Sequence, residues 1–190
     1  MKAVIAADSF KRLINNSKKF TRVCSNRLMS YIYLDVDAEK NIIRAEAVDG
    51  HRLSVEYSPV IEADSSFKCY VKANIPKITA RDRAVELELI GNKCYVTVGE
   101  NITGYVQPEG KWFDLDKVIN DAEEKPVTAS IYVDPKLLKE ALDSIGEGAY
   151  RKGVKLEIRG KRDPIMIRPE AFHLKDNIKI VLPIRHGGAD

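Results

Sequence analysis

Residues 47–59 read AVDGHRLSVEYSP. Asp49-Gly50 is a turn pair, because glycine accepts the positive φ that a tight turn demands. The residues after it, HRLSVEYSPV (51–60), return to strand-forming types. Immediately upstream, LMSYIYLDVD (28–37) and IIRAEAV (42–48) alternate apolar and polar positions around the turn AEKN (38–41). Together these segments predict a three-stranded antiparallel meander. Further upstream, MKAVIAA (1–7) reads as a strand and ADSFKRLINNSKKFTRV (7–23) as a helix with Asp8 or Ser9 as N-cap. At 100° per residue its apolar arc holds Phe10, Leu13, Ile14, Ser17, Phe20 and Thr21. The opposite arc holds Lys11, Arg12, Asn15, Asn16, Lys18, Lys19 and Arg22. The order is strand, helix, meander.

Downstream the order recurs in weaker form. FKCYVKA (67–73) is a strand, and NIPKITARDR (74–83) is at best a short helix, since Pro76 fits only its first turn. AVELELI (84–90) and KCYVTVG (93–99) form a hairpin across Gly91-Asn92, and NITGYVQ (101–107) adds a strand. GKWFDLDKVINDAEEKP (110–126) then runs into an acidic linker. A third unit follows: SIYVD (130–134) as a strand, then a helix capped by Asp134 with Pro135 at its first position. Leu137, Leu138, Ala141, Leu142 and Ile145 form the apolar face of that helix, and Gly146 closes it. VKLEIRG (154–160), DPIMIRP (163–169) and NIKIVLPIR (177–185) complete its meander. Three such units imply an internal repeat of roughly 60 residues. The expected division is a two-unit domain over 1–120, a linker over 121–126, one further unit over 127–186, and a disordered tail at 187–190.

Composition narrows the class. A chain of 190 residues with 44% hydrophobic and 31% charged positions can bury a globular core. No apolar run approaches the ~20 residues that span a bilayer, so no membrane span is expected. The opening MKAVIAADSFKRL has too short an apolar run for a signal peptide. Cys24, Cys69 and Cys94 are odd in number and lack CxxC spacing, which argues against a disulfide framework or zinc ribbon and for the cytoplasm. All three read as buried strand residues. The net charge of +3 permits nucleic acid as a partner without demanding it.

The string AVDGHRLSVEYSP resembles the signature of the middle domain of the bacterial sliding clamp family, the β subunit of DNA polymerase III. GYVQPEGKWFDLDKVI (104–119) is similar to that family's strand and Gly-Arg-Phe-Pro-Asp-Tyr-type loop. IKIVLPIR (178–185) is similar to its C-terminal strand. The three strings keep the family's order, with Lys111-Trp112-Phe113-Asp114 standing where the family has its Arg-Phe-Pro-Asp string. The resemblance implies an α+β, DNA clamp-like fold of repeated strand-helix-meander units, with antiparallel sheets and helices on one face. It covers one whole domain of the middle type and the second half of the last.

The resemblance also implies two surfaces. One binds double-stranded DNA without sequence reading, through helices that face a channel. Segment 8–27 suits it, with six cations against Asp8; the candidate residues are Lys11, Arg12, Lys18, Lys19 and Arg22, of which Lys11, Lys18 and Arg22 share a stripe. The plainer reading of such a run is a solvated helix face. Arg81 and Arg83 near the short second helix add charge, with Asp82 between them. The other surface is a hydrophobic groove that receives short linear peptides from DNA polymerase or other replication proteins. Matching positions are Gly50, His51, Arg52 and Leu53, then Phe113 and Val118, then Ile180, Leu182, Pro183, Ile184 and Arg185. The plainer reading makes the apolar ones core positions and Asp49-Gly50 an ordinary turn.

No catalytic, cofactor or metal motif is present. There is no phosphate loop, nucleophile elbow or HExxH, and His51, His173 and His186 sit in unrelated contexts. Asp35 with Asp37, and Asp114 with Asp116, read as strand-edge and loop charges. The sequence thus points to a non-enzymatic processivity or scaffold factor. Its rival is a clamp-derived adaptor that binds clamp-interacting peptides without encircling DNA. Family arithmetic of twelve units per ring allows a homo-oligomeric ring of about four copies.

Overall fold

The protein is described by a computed structural model over residues 1–145, 153–169 and 178–184. It divides into two compact bodies, Met1–Val118 and Ile119–Asp190.

The first body opens with β1 (Lys2–Ala6), which runs directly into α1 (Ala7–Ser17). A meander of β2 (Ile32–Asp37), β3 (Ile42–Val48) and β4 (Leu53–Pro59) follows, with a short β5 (Glu62–Ala63) as its tail. Next come β6 (Phe67–Val71) and a second meander of β7 (Ala84–Ile90), β8 (Lys93–Val98) and β9 (Asn101–Val106). The turns are those the sequence dictates: Asn41, Gly50 and Gly91 all take positive φ, at 52°, 90° and 55°.

Each module's first strand leaves its own meander for the other's. β1 pairs antiparallel with β7, placing Ala3 opposite Leu87, and β6 pairs antiparallel with β2, placing Cys69 opposite Leu34. The sheets are therefore ordered β5-β1-β7-β8-β9 and β4-β3-β2-β6. Their inward positions and the apolar face of α1 close over one core that includes Ile5, Phe10, Leu13, Ile14, Leu34, Ile43, Leu87 and Val96. Each such fully buried aliphatic or aromatic side chain contributes about 1.5–3 kcal/mol. The Gln107 amide closes the outer side of β6. Its Oε1 accepts from the Tyr70 N–H at 2.7 Å, and its Nε2 donates to the Tyr70 and Tyr105 carbonyls at 3.1 and 2.9 Å. An amide there does what a neighbouring strand would do, satisfying both groups of Tyr70.

The second body holds α3 (Pro135–Asp143) and a sheet of β10 (Val154–Glu157), β11 (Ile165–Pro169) and β12 (Lys179–Val181), in that order. Ile165, Ile167 and Val181 form its small core, with Leu138, Ala141, Leu142 and Ile145 packed on them. Asp134 caps α3 by accepting from the Lys136 and Leu137 amides at 2.7 and 3.3 Å. A helix α2 (Leu115–Glu123) precedes it, extending into residues 121–123, which the sequence suggests as linker. Among the described residues no helix is long and apolar enough to cross a membrane.

Several expectations are corrected. Residues 74–83 form no helix: Asp82 Oδ2 accepts from both the Thr79 amide and its hydroxyl, at 2.6 and 2.7 Å, and this local turn outcompetes helical pairing. α1 ends at Ser17 and continues only as a 3-10 turn, Lys18–Phe20, where the Lys18 carbonyl takes both the amide and the hydroxyl of Thr21. It begins with Ala6 in the capping position and no side-chain cap, because the Ala7 amide donates to the Arg83 carbonyl across the sheet. Residues 130–134 are not a strand, although the Ile184 amide donates to the Tyr132 carbonyl at 2.9 Å. Leu137 is exposed rather than packed. Cys69 and Cys94 are buried in strands, but Cys24 lies half-buried in a loop with its Sγ 3.5 Å from Met29 Sδ. Gly146, His173, His186 and the tail fall outside the described residues.

Leu34→Ala, at the centre of the first core, is expected to lower unfolding free energy by about 2–5 kcal/mol in urea titration. Ile102→Ala, on the exposed flank of β9, should change it by no more than about 0.5 kcal/mol.

Candidate functional site

The turn after β3 is built around one carboxylate. Asp49 is buried and its Oδ1 accepts from the His51 and Arg52 amides at 3.0 and 2.8 Å. Its Oδ2 takes the Arg52 guanidinium through Nε at 3.0 Å and Nη2 at 2.6 Å. Arg52 also donates to the Lys19 carbonyl at 3.1 Å and lies over the Phe20 ring, 5.1 Å from its centroid. The turn is thus fastened to the end of the basic segment. The Arg52 pairing, with the two amides, holds the Asp49 carboxyl at about 2, well below the ordinary carboxylate range. A side chain added at Gly50 would meet Met29 at 3.7 Å, besides facing the strain of φ 90°. Of the four turn residues expected in the groove, Gly50, His51 and Arg52 are exposed and Leu53 is half-buried.

Beside this turn lies an aromatic cluster. Trp112 stacks on Tyr33 with centroids 5.3 Å apart and meets Tyr70 and Phe113 edge-on at 5.8 and 5.2 Å. Leu28 and Val48 complete the cluster. The Trp112 Nε1–H donates to the buried Glu46 Oε2 at 2.6 Å. Arg44 Nε lies 2.7 Å from Glu46 Oε1, and its two terminal nitrogens grip Asp116 at 3.0 and 2.6 Å. Burial raises the Glu46 carboxyl above its ordinary value, while the Arg44 hydrogen bonds lower that of Asp116. The 110–114 loop is therefore held to β3 at its middle by the Trp112 indole, and the start of α2 that follows it is held by the Asp116 ion pair. Phe113 joins this cluster, and Val118 on α2 is exposed.

The remaining groove candidates belong to the second body. Ile180, Leu182 and Ile184 are 58%, 66% and 47% exposed, which removes them from any core, and Pro183 is half-buried. Arg185 falls outside the described residues. The candidate DNA-binding residues Lys11, Arg12, Lys18, Lys19 and Arg22 are all exposed. Lys11 and Arg12 stand on α1, Lys18 and Lys19 on the 3-10 turn. Arg22 lies beyond both, in a loop where its amide donates to the Met29 carbonyl at 2.8 Å, so the single helical stripe of Lys11, Lys18 and Arg22 is not formed. Arg81 lies in a turn and Arg83 follows it, with no helix beside them.

The paired acids have ordinary partners. Asp35 faces Lys68 at 3.4 Å, Asp37 faces Lys40 at 3.1 Å, and Asp114 accepts from the Lys117 amide at 3.0 Å. The Glu46, Trp112, Arg44 and Asp116 network escapes sequence reading. Its only signal is a lone tryptophan beside a charged residue on the face of β3 that alternation assigns to solvent.

Trp112→Phe keeps the stacking but leaves Glu46 buried without its donor, and is expected to cost about 1–3 kcal/mol in urea unfolding. Asp49 titrates lower in the folded chain than in the unfolded one, so its contribution is present above about pH 4 and is lost as pH falls towards 2. Stability measured between pH 4 and 2 should fall more steeply for the wild type than for Asp49→Asn.

No protein-family model and no curated protein matches the chain. Solved structures do. The DNA polymerase III subunit beta of Pseudomonas aeruginosa superposes with a TM-score of 0.77 at 20% identity, covering 99% of this chain and 52% of that one. The DNA polymerase sliding clamp of Bacillus subtilis gives 0.79 at 16% identity over 96% and 49%. The DNA polymerase III beta subunit of Thermotoga maritima gives 0.76 at 16% identity over 96% and 50%. The chain therefore has the α+β fold of the bacterial sliding clamp, the DNA polymerase III β subunit, and spans about half the length of the clamps it matches.

Proposed function

We propose that the chain is a sliding-clamp-like processivity or scaffold factor. It associates with double-stranded DNA without reading sequence and docks replication proteins through short linear peptides. The observation that carries this reading is the clamp fold over nearly all of the chain. Two features support it. The exposed cations from Lys11 to Arg22 give the phosphate attraction that sequence-independent association needs. In the first body the turn at Gly50 to Leu53 is held rigid by Asp49, and in the second body exposed Ile180, Leu182 and Ile184 offer apolar anchoring; each is a feature that peptide docking uses. Neither role makes or breaks a covalent bond.

The break in the basic stripe, with Arg22 in a loop beyond α1, favours a second reading, a clamp-derived adaptor that holds the same peptides without enclosing DNA. The two part at the basic segment. In anisotropy titrations of a labelled duplex, the clamp reading expects binding that weakens steeply with salt and falls roughly tenfold or more in K11E/K18E/R22E. Peptide binding should survive those changes and be lost in L182D. Duplex binding that is absent, or unchanged by the charge reversals, would leave the adaptor.

A further inference from the structure

The first body shows how its modules complete one another. Each donates its first strand to the first meander strand of the other, β1 to β7 and β6 to β2. While its outer side pairs with β7, β1 stays tied to its own module's tail: Ala3 pairs with Ala63, and the Ile61 amide donates to the Val4 carbonyl at 2.8 Å.

The second body repeats one module of this plan. Residues 130–134 precede α3 as β1 precedes α1, and β10, β11 and β12 follow as β2, β3 and β4 do. The tail contact recurs as well, the Ile184 amide donating to the Tyr132 carbonyl at 2.9 Å. Ile131 and Val133 pack on the Ile165, Ile167 and Val181 core, as Ala3 and Ile5 pack in the first body.

The exchange itself is what this module lacks among the described residues. β10 stands where β2 stands, yet it is the outer strand of its sheet, whereas β2 lies between β3 and β6. The consequence is visible in burial. Ile32, Leu34 and Val36 of β2 are fully buried, while Val154 and Leu156 of β10 are 40% and 48% exposed. Leu156 pairs across the sheet with Ile167, on the face that α3 covers, so its exposure marks a core left open at that edge.

We propose that the second body self-associates about a two-fold axis, residues 130–134 of each copy adding antiparallel to β10 of the other. The occupant follows from the pattern. The open edge takes the first strand of a module, and the donor must in turn have an open first meander strand to receive one. The first body cannot serve, since β7 and β2 already hold β1 and β6. A second copy of residues 127–184 meets both conditions. The interface is isologous and closes on itself, so it yields a pair rather than an open filament. The product repeats the two-module design of the first body with the halves supplied by two chains. It goes beyond the clamp reading, because it holds whether or not the assembly encircles DNA.

Light scattering on the full chain across a range of concentrations tests it. The wild type is expected to reach at least twice the 21.4 kDa of one chain. V154K/L156K, which places charge on side chains already exposed in a single copy, should at least halve the observed mass with an unchanged far-ultraviolet circular dichroism spectrum. A measurement free of variants guards against misfolding: the wild type's urea midpoint should rise with protein concentration, as linked association requires. A wild type monomeric at all concentrations, a midpoint independent of concentration, or a folded V154K/L156K of undiminished mass would each overturn the proposal.

Discussion

Lys2–Ala6 pairs with Ala84–Ile90 and not with the meander that follows it, and Phe67–Val71 makes the reciprocal crossing to Ile32–Asp37. This exchange governs the first body. It places β1 between β5 and β7 and β6 at the edge of its sheet beside β2, and it sinks Ala3, Ile5, Cys69 and Val71 into one core. It also fixes where α1 begins, since the Ala7 amide is already held by the Arg83 carbonyl at 3.0 Å when the helix starts. With its start set by the sheet and its apolar stripe set by Phe10, Leu13 and Ile14, α1 has one orientation, which leaves Lys11 and Arg12 exposed, the Lys11 ammonium donating to the Ile78 carbonyl at 3.2 Å. Such pairing is costly in loop entropy, because it joins residues far apart in sequence. Burial on both faces of the core offsets that cost.

The functional surface of the first body is rigid for a different reason. Two buried or nearly buried carboxylates, Asp49 and Glu46, organise the loops on either side of β3. A buried carboxylate is tolerable only when its oxygens are satisfied. Asp49 meets that need with two amides and a guanidinium, which makes the Gly50 turn a fixed feature. Glu46 does so with the Trp112 indole and Arg44, which anchors the loop leading into α2. The turn and the loop carry the residues that resemble the clamp's peptide groove. Preorganisation of that kind lowers the entropy lost on docking.

Much of the fold was legible in the sequence. Period-two alternation, the Asp-Gly and Gly-Asn turns and the Asp134-Pro135 start located nearly every strand and two of the three helices. The failures have physical causes. Residues 130–134 carry strand-forming side chains, but a strand needs a ladder, and among the described residues the Ile184 bond to Tyr132 does not extend into one. Thr79 and Asp82 closed a local turn where the pattern permitted a helix. Arg22 fell off its stripe because periodicity does not report where a helix stops, here at the Thr21 contacts with the Lys18 carbonyl. The Asp49-Gly50 turn was read from its residues, and the resemblance alone suggested a groove role for Gly50 to Leu53. Glu46 and Trp112 were missed because alternation assigned one to solvent and gave no reason to bring the other to it.

Module completion by strand exchange is thus the common thread, satisfied within the chain by the first body and, as proposed, between chains by the second. Native-state hydrogen exchange of the first body tests it most directly. If the donated strands are integral, the sheet-bonded amides of β1 and β6 exchange no faster than those of their hosts β7 and β2, all four opening only with global unfolding. Fast exchange of β1 or β6 while β7 and β2 remain protected would contradict the account.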